Sequence, residues 1–288
     1  MLVRFAAYRE YQAARSEAND AMMALLIASK LGSHQLAGSL AQPDTRLTTL
    51  YAALPGIRRL DVSVARASDL MRDAERHLAF MAIPFVLAVH ESLLLSTVAL
   101  LRQEGIDYQS SHWQYAYAKD IGRIGLARLH QYIAERVAMN FDPAHLALFL
   151  FANRIRNRLI HHRGVPTPSL MSDYSKGLGG HRSLWEGLTH RSLTVRRDTT
   201  LELGEGELIA ALALTGRLAI ELNESLQPPT LDESVWARLA VEDYRASYPE
   251  RFVKPQYVRR VLGFARALYT PIALDESDIR TALSTLGY

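Results

Sequence analysis

The sequence predicts a mostly α-helical protein with at most one small β element. Apolar residues recur at intervals of three and four over most of the chain, which is the period of an amphipathic helix. Only residues 192–204, "SLTVRRDTTLELG", combine β-branched side chains with a central turn. With 288 residues, 49% of them hydrophobic and 22% charged, the chain is long enough to bury a core in one large or two ordinary domains.

The first sixty residues predict two helices. Residues 3–31 are rich in alanine, arginine and glutamate and carry apolar side chains at helical spacing, so we expect one long helix there. A loop is expected over residues 31–45. A short helical segment follows over residues 46–54 and ends at Pro55-Gly56, because proline and glycine interrupt helices.

The longest predicted helix covers residues 68–105. Ser68 or Asp69 can cap its start, and Gly105 ends it. Pro84 lies inside this stretch. Because its ring clashes with the preceding turn and it lacks an N–H, we expect the helix to kink or split there.

Part of this helix, residues 78–101, is long enough to cross a membrane. Glu91 lies in the middle of it, and an acid at the bilayer centre costs about 2.5–3.5 kcal/mol even on a lenient insertion scale. The N-terminus lacks the apolar core and cleavage site of a signal peptide. The sequence therefore predicts a buried helix in a soluble, cytoplasmic protein that has no membrane partner.

The second half of the chain predicts further helices. Asp142 caps a helix that starts at Pro143, runs to about His162 and is ended by Gly164. The remaining expected elements are loops at 106–120 and 167–187, the hairpin at 192–204, a linker at 228–229, and helices over 121–140, 205–226, 233–248, 255–269 and 275–287.

The overall charge is only mildly basic, with a formal net charge of +3 and a pI of about 9.1. Arginine is used far more than lysine, which suits planar, bidentate recognition of phosphate. A GC-rich genome gives the same bias, so composition alone leaves both explanations open. The chain has no cysteine, which excludes disulfides and thiolate chemistry.

One segment combines apolar, basic and proton-transferring residues: "FANRIRNRLIHHRG", residues 151–164. Between Arg154 and Arg163 it contains four arginines and no acid. At about 100° per residue, its Asn153, Asn157 and His161 lie on one stripe at spacings of four. The segment therefore predicts a polar ridge along the edge of an apolar helix.

Arg156 is expected to project into the apolar face of this helix, next to Ile160. A guanidinium there needs a partner, because an unpaired buried charge costs several kcal/mol. Glu91 is the one acid inside another strongly apolar helix. We therefore expect Glu91 to pair with Arg156 or to orient it.

These residue types suit the cleavage of a phosphodiester. Arg156 can stabilise the negative charge that develops on a scissile phosphate. His161 can move a proton to or from a ribose hydroxyl, because imidazole titrates near neutral pH. Asn157 can hold a phosphate oxygen or fix the tautomer of the histidine. Since RNA carries its own nucleophile in the 2′-hydroxyl, this chemistry predicts no metal and no cofactor, and a cyclic phosphate product.

The segment "RNRLIH", Arg156 to His161, resembles the R-N-x-x-x-H form of the Arg-x(4–6)-His motif of HEPN domains. The surrounding pattern is also similar: an earlier apolar helix with an embedded acid, "AVHESLLLSTVALL", and a later helix, "ELIAALALTGRLAIELN". The resemblance implies a HEPN-like helical bundle over residues 65–226. Residues 1–64 and 227–288 would be helical extensions on either side.

HEPN proteins are all-α, and many are metal-independent endoribonucleases of toxin–antitoxin, abortive-infection and CRISPR antiviral systems. The resemblance implies a homodimer with a composite site, an RNA substrate, and an antitoxin or regulatory protein that restrains the nuclease. By the same resemblance, Arg156 and His161 carry catalysis and Asn157 assists. Glu91 and His162 are candidate supporting residues, and Arg154, Arg158 and Arg163 are candidates for binding RNA.

Alternatives stay open at this point. The basic segment also fits a helix C-terminus that complements the macrodipole, or a non-catalytic HEPN-like module that binds RNA or a protein. A metal site at His161-His162 is not expected, since adjacent helical histidines point about 100° apart. His90 fits a core histidine, and the aromatic residues Trp113, Tyr115 and Tyr117 fit either core packing or base stacking.

Overall fold

The structure is a computed structural model that describes residues 2–38, 42–104, 125–197, 199–228, 230–251 and 257–288. It confirms a mostly α-helical fold. The helices in chain order are α1 Ala6–Ala37, α2 Leu47–Leu50, α3 Val64–Arg72, α4 Ala74–Gln103, α5 Leu126–Arg136, α6 Pro143–His162, α7 Pro168–Ser175, α8 Arg182–Thr189, α9 Glu205–Ser225, α10 Glu233–Ser247, α11 Tyr257–Leu268 and α12 Glu276–Thr285.

Helix α6, which carries the basic segment, begins and ends where the sequence predicts. Asp142 Oδ1 accepts hydrogen bonds from the N–H groups of Ala144 at 2.8 Å and His145 at 3.0 Å. These bonds satisfy donors that a helix start leaves without partners. The helix ends at His162, and Gly164 follows with a φ of 81°.

The first helix is longer than predicted. The expected loop at residues 31–35 is wrong, because α1 continues to Ala37. Gly32 allows a close approach: a Cβ there would lie 2.7 Å from the Sδ of Met71. Leu36 is buried with Leu47 in a small apolar cluster. Tertiary packing thus extends the helix beyond its local helix-breaking residue.

The predicted helix over residues 68–105 is two helices. Helix α3 begins at Val64, and its cap is Ser63, whose hydroxyl accepts from Arg66 N–H. Ser68, an expected cap, lies buried inside α3. Helix α4 continues through Pro84 without a break, so the helix does not split at the proline, and the alternative of a kink there stays a prediction.

Among the described residues, α4 is one helix long and apolar enough to cross a membrane, judged by length and composition alone. Its most apolar window has a mean hydropathy of 2.0, and 50% of that window is buried inside the protein. The core helix of a soluble protein has the same properties, so the predicted lack of a membrane partner stays a prediction.

The loop predicted over residues 167–187 contains helices α7 and α8 instead. Thr167 caps α7 by accepting from Leu170 N–H, and Pro168 fills the first turn. The ring of Trp185 on α8 is buried and lies edge-on to Phe151, with the ring centroids 5.1 Å apart. Burial of this aromatic side chain holds the short helices in place.

The small hairpin expected at residues 192–204 does not form among the described residues of this segment, 192–197 and 199–204. Its leucines are buried at positions 193, 201 and 203. Its backbone groups bond elsewhere: Leu193 N–H donates to Tyr174 Oη at 2.7 Å, and Leu201 N–H donates to Gly164 O at 2.9 Å. Partners outside the segment thus replace a strand ladder.

Helix α9 begins close to the end of α8. A Cβ on Gly206 would overlap the carbonyl oxygen of Thr189. Glu207 in the first turn of α9 is buried, and its carboxylate accepts from Gly204 N–H at 2.7 Å and from Arg191 Nε at 2.9 Å. An ion pair between the buried carboxylate and the partly exposed Arg191, together with a backbone contact, therefore fixes the start of α9.

The chain divides into two compact units, each made of segments that are far apart in sequence. Unit 1 contains Met1–Ala14, Ala88–Leu150 and Leu214–Tyr288. Unit 2 contains Arg15–Leu87 and Phe151–Ala213. The predicted division by chain position into residues 1–64, 65–226 and 227–288 stays a prediction.

Candidate functional site

The basic segment lies in unit 2, at the C-terminal end of α6. Phe151, Ile155 and Leu159 anchor it, with exposed fractions of 3%, 1% and 9%. Ile160, expected on the apolar face, is 48% exposed. The buried face is therefore centred on Ile155, and Arg156 lies half-buried at its margin and not within it.

Arg156 makes one hydrogen bond to a neighbouring side chain. Its Nη1 donates to Asn157 Oδ1 at 3.1 Å. Its Nε is buried and has no partner among the described residues, and the same holds for Asn153 Oδ1 one turn earlier. Buried polar groups normally have partners, so a donor on Arg156 and an acceptor on Asn153 are left with unused bonding capacity.

His161 and His162 are both exposed at the end of the helix, with ring centroids 6.5 Å apart. Five helical positions rotate His161 by about 140° from Arg156. The guanidinium and this imidazole therefore point to different sides of α6. His161 continues the ridge of Asn153 and Asn157.

The end of α6 is held firmly. Arg163 and Gly164 both adopt left-handed conformations, with φ angles of 51° and 81°, and Gly164 N–H donates to Arg158 O at 2.8 Å. A Cβ on Gly164 would lie 2.8 Å from Cζ of Phe80 and 3.0 Å from Cγ2 of Thr200. The position after the histidines is thus packed against two other segments of unit 2.

The arginines expected to bind RNA differ in their surroundings. Arg154 forms an ion pair with Asp173 of α7, so its charge is partly neutralised. Arg158 is half-buried and Arg163 is exposed. Arg158 and Arg163 are therefore better placed than Arg154 to contribute positive charge at this surface.

The predicted pairing of Glu91 with Arg156 stays a prediction. Glu91 is half-buried on the part of α4 that belongs to unit 1, whereas Arg156 belongs to unit 2.

A second polar cluster, in unit 1, was missed by sequence reasoning. His145 Nδ1–H donates to Glu221 Oε1 at 3.0 Å, and Arg217 Nη1 donates to His145 Nε2 at 2.8 Å. The imidazole thus joins an acidic and a basic side chain of α9. Glu221 Oε2 also accepts from Asp142 N–H at 2.9 Å. The spacing of four between Arg217 and Glu221 was visible, but their partner on α6 was not.

His90 is a core histidine, as expected, and pairs with a second one. Its Nε2 lies 3.0 Å from Nε2 of His130, and both residues are 0% exposed. His130 Nδ1–H donates to Leu126 O at 2.8 Å, so its Nε2 accepts a hydrogen bond from His90 Nε2–H.

Burial keeps this pair neutral. It lowers the pKa of His130 to about 4, although the Leu126 carbonyl acts in the opposite direction. Burial, and next the proximity of His130, lower the pKa of His90 well below the ordinary value. Phe149 and Phe141 pack against these rings, so the pair has no access to a substrate.

Within the part of the chain that the structure describes, no group of three or more His, Cys, Asp or Glu side chains could hold a metal ion. The aromatic residues Trp113, Tyr115 and Tyr117 lie outside the described residues.

Comparisons of this chain with protein-family models, with curated proteins and with solved structures find no match.

Proposed function

We propose that the protein is a metal-independent endoribonuclease whose active site combines two copies of the end of α6. One observation carries the proposal. An exposed imidazole, His161, lies five residues after the half-buried guanidinium of Arg156, whose buried Nε has no partner in the described part of the chain, on a helix end that packing holds in place.

The proposed reaction needs only these side chains and the RNA. The 2′-oxygen bonds to phosphorus while the bond to the 5′-oxygen breaks, leaving a 2′,3′-cyclic phosphate and a 5′-hydroxyl. One imidazole takes the proton of the 2′-hydroxyl, and another gives a proton to the departing oxygen. Arg156 stabilises the charge on the phosphate, and Asn157 holds the guanidinium through its 3.1 Å hydrogen bond.

A second copy supports this chemistry for a geometric reason. Arg156 and His161 point about 140° apart on one helix, so one copy cannot direct both at the same phosphate. A two-fold axis near the helix ends would bring Arg156 of one copy to His161 of the other and supply two imidazoles. Such a nuclease needs restraint in a cell, which is consistent with an antitoxin or regulatory partner and a role in defence.

The test is incubation of the purified protein with RNA in the presence of EDTA. Cleavage that persists in the chelator and is lost in Arg156→Ala and in His161→Ala supports the proposal. Arg280→Ala on the exposed face of α12 is the matched control and should cleave like the wild type. Salt-sensitive RNA binding without any cleavage would instead identify a non-catalytic binding module.

A further inference from the structure

The C-terminal helices contain a groove with aromatic walls and a basic rim. The groove has a volume of about 630 Å³. Its walls are Tyr244 and Tyr248 at the end of α10 and Phe264 on α11. Arg251 and Arg260 stand at its edge. A space of this size accommodates a planar ring system with its attached sugar.

The aromatic rings form a continuous surface that is only partly used by the core. Tyr244 is buried and supports the other two, with ring centroids 5.3 Å from Tyr248 and 5.5 Å from Phe264. Tyr248 is 37% exposed, so the cluster covers its side chain only in part. The guanidinium of Arg251 lies over this ring, so a flat group that stacks on Tyr248 takes the place of that guanidinium.

Among the described residues that line the groove, the charged side chains are the arginines Arg251 and Arg260. The guanidinium of Arg251 lies 5.2 Å from the centre of the Tyr248 ring, and Arg260 Nη1 donates to the backbone carbonyl of Arg251 at 3.4 Å. Residues 257–274 contain three arginines and no acidic residue. The partner that this groove complements is therefore anionic and flat.

From these observations we infer that the groove binds single-stranded nucleic acid, with a base stacked on Tyr248 and the adjoining phosphate between Arg251 and Arg260. Stacking platforms beside arginines are the usual means by which proteins hold unpaired strands. The inference deepens the proposed function, since it assigns a second contact for the RNA substrate, far along the chain from Arg156 and His161. This inference concerns RNA binding alone, so it can be tested whether or not the protein cleaves RNA.

The test measures binding without cleavage. The full chain with His161→Ala is titrated into a fluorescently labelled single-stranded RNA, and anisotropy gives the dissociation constant. Loss of the ring in Tyr248→Ala should weaken binding about 5- to 100-fold, as expected for one stacked base. Tyr248→Phe keeps the ring and should bind like its parent. Arg251→Gln combined with Arg260→Gln should lower the salt dependence of binding by about one released counterion.

Three controls separate the outcomes. Arg280→Gln removes an exposed arginine outside the groove and should leave the affinity unchanged. Adenosine monophosphate that competes as well as the strand would overturn the assignment in favour of a mononucleotide. Equal affinity of Tyr248→Ala and its parent would also overturn it. If the wild type cleaves no RNA while the groove variants still lose affinity, the nuclease proposal fails and this one stands.

Discussion

Gly164 offers a direct measure of how strongly packing holds the end of α6. Replacement by alanine adds one methyl group, which must fit 2.8 Å from Cζ of Phe80 and 3.0 Å from Cγ2 of Thr200. Overpacking of this kind costs about 1–3 kcal/mol. The φ of 81° adds about 1–2 kcal/mol, because a Cβ disfavours the left-handed region. The free energy of unfolding of Gly164→Ala should therefore fall by about 2–5 kcal/mol.

Urea unfolding followed by tryptophan fluorescence measures this change, and the midpoint should fall by about 1 M or more. Gly263→Ala is the matched control. Gly263 is exposed in α11, and a Cβ there would meet nothing within 4 Å. That variant should gain up to about 1 kcal/mol from helix propensity. A Gly164→Ala protein within about 0.5 kcal/mol of the wild type would refute the argument that the helix end is tightly packed.

Three further predictions concern the site and the core. Mixing equal amounts of wild-type and His161→Ala protein should leave about a quarter of the cleavage rate given by the same total amount of wild type, since only about a quarter of randomly paired dimers keep both imidazoles; a rate near one half after subunit exchange argues against a shared site. Glu207→Gln should lower the free energy of unfolding by about 2–3 kcal/mol, because the buried carboxylate loses its charge beside Arg191. The control is Glu276→Gln, which lies in an exposed ion pair and should change the free energy of unfolding by less than about 0.5 kcal/mol. Folding lowers the pKa of His130 to about 4, so the unfolded chain binds more protons at this residue between pH 6.5 and pH 4. The free energy of unfolding should therefore be highest above pH 6.5 and fall by about 3 kcal/mol towards pH 4. Replacing both histidines of the buried pair by leucine should flatten this pH profile.

Helix α6 could be predicted from the sequence because its signals are local. Asp142 supplies the cap and Gly164 the left-handed end, and both act within a few residues of the helix. Helix α7 was missed although Thr167 and Pro168 carry the same kind of start signal. Helix α8 has no cap of this kind, and the burial of Trp185 against Phe151 holds it. That contact joins residues far apart in sequence, so local patterns do not reveal it.

The candidate site shows the same limit. The spacing along α6 predicted one ridge of Asn153, Asn157 and His161, and in the structure the two asparagines are half-buried and His161 is exposed. It placed Arg156 too deep, because the angular width of a buried face depends on which segments pack against it. The ion pair of Arg154 with Asp173 was invisible for the same reason, since it depends on the fold of α7.

Gly206 has a consequence for tracing the ancestry of this fold. Any side chain at this position would collide with the Thr189 carbonyl, so no drift in sequence can replace the glycine unless the preceding turn is rebuilt. Distant descendants of the same ancestor should therefore keep a glycine immediately before the acid at position 207, even after most of their surface has changed. Gly206 and Glu207 together could therefore identify homologous proteins whose overall sequence identity has become too low to detect.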